Sequence, residues 1–159
     1  PAALLKLAPL QALEHLRAGF VPRDVIAAIG ELSQLESLEL TLPPHLLPPE
    51  PEWSALAPLR RLPHLRTLHL ANVSPQPGVL RALPATLTRL MMPIQFPRDP
   101  TVLDELKDCL PALETLELEC YQRLYEPYEQ QALAVRPELE VVRAEVQRRR
   151  EVFELGFAF

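Results

Sequence analysis

Glycine, cysteine and aromatic residues are all scarce in this 159-residue chain, and each scarcity excludes something. Only four glycines leave few sites for the left-handed turns that tight hairpins need, which argues against a hairpin-rich β fold. Two cysteines, Cys109 and Cys120, are too few for a disulfide framework. Free thiols and the lack of a secretory leader pattern lead us to expect an intracellular, cytoplasmic setting. Aromatic residues amount to 6%, so the core must be built from something else. Positive charge is also short: 16 Lys and Arg face 21 Asp and Glu, a net −5, which speaks against nucleic acid as a partner. The long uncharged run from Thr67 to Leu80 is broken by Asn72, Pro75 and Pro77, so no membrane span is expected. No H-E-x-x-H, C-x-x-C, G-x-S-x-G or glycine-rich phosphate loop occurs. We therefore expect no enzyme activity, no cofactor and no metal.

What is abundant is leucine, with 33 copies, and proline, with 19. The leucines follow a spacing. Leu65-x-x-Leu68-x-Leu70 recurs at Leu35, Leu38, Leu40 and at Leu113, Leu116, Leu118. A looser copy is Leu87, Leu90, Met92, and worn ones are Leu13, Leu16, Ala18 and Leu139, Val142, Ala144. The first leucines lie 22, 30, 22, 26 and 26 residues apart. Pro63, Pro84, Pro111 and Pro137 come shortly before four of the copies, where proline ends a helix and turns the chain.

Between the copies, the spacing predicts helical pieces. Pro22 to Leu32 carries Val25, Ile29 and Leu32 on one side, and Pro51 to Leu62 carries Leu56, Leu59 and Leu62. Gly78 to Leu83 is a brief turn. Asp99-Pro100 starts a piece with Leu103, Leu106 and Leu110, with Asp99 as the cap. Tyr128 to Val135 and Ala144 to Leu155 follow. The proline-rich connector 41–52 reads as a stiff insertion; a polyproline ligand built on Pro48 and Pro51 is the weaker alternative. Each unit is thus a short strand, a connector and a helical piece. Such a unit cannot bury its apolar side alone and must stack on a neighbour.

The repeated L-x-x-L-x-L resembles the leucine-rich repeat family, in an irregular intracellular form similar to F-box-associated or plant and algal members. The resemblance implies an α/β solenoid, with a curved parallel sheet on the concave side and short helices on the convex side. Its units would be 13–34, 35–64, 65–86, 87–112, 113–138 and 139–159, in a chain that could belong to a longer array. The family continues its motif with an Asn or Cys that bonds the turn backbone. Here Pro43, Val73, Gln95 and Tyr121 hold those places, and Asn72 and Cys120 stand one residue early.

On this reading the leucines point inward, and the residues between them form the exposed strand face. That face is expected to carry His15 and Arg17, Ser37 and Glu39, Thr67 and His69, Arg89 and Met91, Thr115 and Glu117, then Val141 and Arg143, with Glu119 extending the row. The resemblance implies that such a face binds a protein partner, and its acidic members suit a basic peptide. Two other readings stay open. The chain is a structural subunit docked through its apolar ends, or it is the substrate-recognition part of a ubiquitin ligase. Arg148, Arg149 and Arg150 are offset by Glu145, Glu151 and Glu154, so they read as a solvated helix face.

Overall fold

The structure, a computed structural model, describes residues 12–19, 21–42, 53–73, 77–94, 99–120 and 122–144. Six strands dominate it: β1 (His15–Ala18), β2 (Ser37–Thr41), β3 (Thr67–Ala71), β4 (Arg89–Pro93), β5 (Thr115–Glu119) and β6 (Glu140–Ala144). They form one parallel sheet in chain order, each strand beside the next. The connections carry α1 (Arg23–Ile29), three 3-10 segments (Trp53–Arg61, Leu80–Ala82 and Pro100–Lys107) and α2 (Gln122–Val135). Consecutive helical segments also pack on one another, so both layers follow the order of the sequence. The predicted helix from Ala144 to Leu155 lies outside the described residues except for Ala144, which closes β6.

The leucine spacing sets the register. In a strand, side chains alternate between faces, so the two inner leucines of each motif share one side. Leu38 pairs with Leu68, Leu68 with Leu90 and Leu90 with Leu116; Leu40 lies beside Leu70, and Met92 beside Leu118. All are buried. The first leucine of each motif, such as Leu35, Leu65, Leu87 and Leu113, is buried in the turn just before the strand. From the other layer Leu56, Leu59 and Leu62, then Leu103 and Leu106, close the same core. Their spacing of three matches the three residues per turn of a 3-10 helix, which aligns them along one edge. The nine residues of Trp53–Arg61 span about 18 Å at the 3-10 rise, close to the ~17 Å of a five-residue strand.

One helical prediction is widened and another needs correction. In α1 the buried side is Ile26, Ala28 and Ile29, whereas Val25 is only half-buried. The helix is only seven residues long; Ile29 and Leu32 are buried and Val25 packs partly buried against the core, as the spacing predicts, while Ile26 and Ala28 widen the buried side. Helix α2 starts at Gln122, not Tyr128, and runs through Pro127. Pro127 removes one backbone donor, but Tyr125, Tyr128 and Ala132 are buried on one side at helical spacing, and that packing carries the helix past the proline. The Asp99 cap agrees with the prediction: Thr101 N–H donates to Asp99 Oδ1 at 2.9 Å, and that bond holds the carboxyl below its ordinary value.

Turns between units are fixed by specific groups. Leu110 takes a left-handed conformation with φ 53°, which costs a branched residue about 1–2 kcal/mol. The largely enclosed Arg136 guanidinium donates to the carbonyls of Leu110 at 2.7 Å, Leu113 at 3.0 Å and Pro111 at 3.4 Å, holding that turn in place. Asn72, also left-handed at φ 67°, donates its amide to the Leu42 carbonyl at 3.5 Å. Asn72 thus bonds the neighbouring turn.

The core tolerates little change. Leu68→Ala, at a fully buried site in the middle of the sheet, should cost about 3 kcal/mol in urea unfolding, while Leu133→Ala on the exposed side of α2 should cost roughly 0.5 kcal/mol or less. Gly30 is needed for close approach: a Cβ there would meet the Pro58 carbonyl oxygen at 2.6 Å. Gly30→Ala should therefore lower stability by about 1–3 kcal/mol, and an unchanged urea midpoint would disprove that contact.

Candidate functional site

The residues between the inner leucines make the second face of the sheet. Its first row is His15, Ser37, Thr67, Arg89, Thr115 and Glu140. The middle row is Arg17, Glu39, His69, Met91, Glu117 and Val142, and Thr41, Ala71, Pro93, Glu119 and Ala144 continue it two residues on. The structure brings Arg17, Glu39, Thr67, His69, Arg89, Met91, Thr115 and Glu117 together on this face, as the alternation predicts.

Arg143 does not join them. Glu140 pairs with Thr115, Val142 with Glu117, and Arg143 with Leu118. The step from β5 to β6 is thus 25 residues, one fewer than the 26 between Leu113 and Leu139. A one-residue slip moves every side chain to the opposite face. Val141, expected outside, instead packs against the core, and Arg143 comes near Cys120 and Tyr125. The cause lies in the sequence: Val141 and Val142 are adjacent, so either register places a valine inward. The backbone selects Val141, with Tyr125 Oη donating to its carbonyl at 3.0 Å.

The charged members pair across strands. Arg17 Nε lies 3.2 Å from Glu39 Oε1, and His69 Nδ1 lies 3.6 Å from the same oxygen. The other ring nitrogen of His69, Nε2, stands 4.0 Å from Glu119 Oε2, two strands away. Arg89 donates to Glu117 at 2.6 Å, and Thr115 Oγ1 to Glu140 Oε2 at 3.0 Å. Glu117 is the most enclosed of the charges, its side chain only 12% exposed, and the guanidinium of Arg89 is what makes that burial tolerable. Four carboxylates, from Glu39, Glu117, Glu119 and Glu140, face two guanidinium groups, so the face is acidic on balance. Glu140 was missed by sequence reasoning because the slip that brings it onto the face is not visible in the leucine spacing.

Near the centre the face turns apolar. Met91 is half-exposed and outside the core cluster, with Ala71 and Pro93 at the next position along. Pro93 has no N–H to give β3, and the β3–β4 pairing ends at His69 and Met91, two residues earlier than the β2–β3 pairing.

The face presents charges, hydrogen-bonding groups and one partly exposed apolar side chain, Met91. Among the described residues no group of three His, Cys, Asp or Glu side chains is placed to hold a metal ion, and no helix is long and apolar enough to cross a membrane. Both cysteines are free and away from this face. Burial, then the neighbouring Glu105 carboxylate, pushes the Cys109 thiol up to about 11; burial also raises Cys120. At pH 8 both should therefore react slowly with a thiol reagent in the folded protein and at the ordinary rate in urea. Fast labelling of Cys109 in the native protein would contradict its enclosure beside Glu105.

No protein-family model matches the sequence, and no curated protein and no solved structure is significantly similar to it.

Proposed function

We propose that the chain is a leucine-rich-repeat solenoid, with the sheet on its concave side, that binds a protein partner through the exposed sheet face and performs no catalysis of its own. One observation carries this reading: a parallel sheet with leucines on one side and a continuous polar row on the other. Parallel sheets ordinarily bury both faces and read as apolar on both. Here Arg17, Glu39, His69, Arg89 and Glu119 remain partly exposed. Stacked repeats of this kind offer such a face to extended partners. The partner is a protein and not a nucleic acid, since the row is acidic. The two free thiols support an intracellular site of action.

Site-specific photo-crosslinking tests this directly. A benzoylphenylalanine at position 67, on the sheet face, should give a partner adduct in cells. The same group at position 107, exposed on the helical side, should not. Adducts from position 107 alone would place the partner on the other layer and overturn the reading.

A further inference from the structure

We propose that the partner segment is extended and carries an apolar side chain two residues from a lysine or arginine, the apolar group over Met91 and the cation at Glu119. The proposal rests on the sheet-face reading above and names the chemistry that the face selects. Met91 is a partly exposed, unbranched apolar side chain, with partly exposed Ala71 and buried Pro93 at the next position along their strands. A thioether on a flexible chain adapts to whatever apolar group lies on it. Around Met91 the charges are unequal. Arg17 answers Glu39 at 3.2 Å and Arg89 answers Glu117 at 2.6 Å. Among the described residues the ion-pair neighbour of Glu119 is His69 Nε2 at 4.0 Å, too long for a hydrogen bond. Glu119 is therefore the carboxylate of the central face with the most negative charge left to offer.

Geometry then sets the spacing. Met91 pairs with Glu117, and Glu119 stands two residues further along β5, opposite Pro93. Diagonal neighbours of this kind lie about 7 Å apart. Side chains on one side of an extended chain are also about 7 Å apart, at i and i+2. A peptide laid along β4 and β5 can thus seat an apolar group and a cation together. An acidic segment would meet Glu117 and Glu119 with like charge.

The test uses the full chain and two fluorescent peptides of equal length, one of Leu-Ser-Arg-Ser repeats and one of Leu-Ser-Glu-Ser repeats, read by anisotropy. The arginine peptide should bind, and the glutamate peptide should not. Glu119→Gln and Met91→Ser should each weaken binding roughly fivefold or more, and Lys107→Gln should leave it unchanged. Circular dichroism verifies that each variant is folded. Failure of the arginine peptide to bind, or binding indifferent to Glu119→Gln and Met91→Ser, overturns the proposal. If the glutamate peptide binds instead and Met91→Ser abolishes it, the basic partner is wrong while the sheet-face reading survives. If crosslinking from position 67 also fails, both fall.

Discussion

A five-residue strand with two leucines on one side has nowhere of its own to put them, and the architecture depends on how that problem is solved. Each strand pairs in parallel and in register with the next, so Leu38, Leu68, Leu90 and Leu116 form one row, and Leu40, Leu70, Met92 and Leu118 another. Fully burying a leucine is worth about 1.5–3 kcal/mol, and here each inner strand shares the benefit with both neighbours. No strand is stable apart from the one beside it. The helical layer repeats the logic, with leucines three apart packed down onto the rows.

Because burial is set by register, the parts of the fold tied to leucine were legible in the sequence. Leu65, Leu68 and Leu70 announce a strand, its inner face and the turn before it, and all three are buried as the spacing requires. The segment type between strands was less legible. Leu56, Leu59 and Leu62 fit both an α-helix and a 3-10 helix over so short a run, and the length to be spanned selected the extended form. The start of α2 was hidden by Pro127, which local rules treat as a boundary and tertiary packing overrides.

The candidate face was legible wherever a unique leucine pinned the strand, and illegible where none did. Thr67 and His69 follow from Leu68 and Leu70. At β6 the inward place is taken by one of two adjacent valines. Local pattern is then silent, and the slip exchanges Arg143 for Val142 and brings in Glu140. Pro93 shows the same limit from the other side. Its residue type tells that a ladder bond is missing, but only its place on β4, at the level of Ala71 and opposite Glu119, shows that the gap falls in the middle strands of the sheet.

The ion pairs on that face do a different job from the leucines. Exposed pairs are worth about 0–1 kcal/mol each, so Arg17 with Glu39 adds little to stability. What they settle is which charges remain unspent. Glu39 and Glu117 each have a guanidinium within reach, and the imidazole of His69 stands between Glu39 and Glu119 without closing on the latter. A uniformly acidic face would attract any cation along its length. Local neutralisation at Glu39 and Glu117 instead leaves Glu119, near Met91, and Glu140, at the β6 edge, as the carboxylates of the face without a guanidinium partner among the described residues. Leucine rows that repeat without distinction build the sheet, whereas the opposite face changes its chemistry from strand to strand.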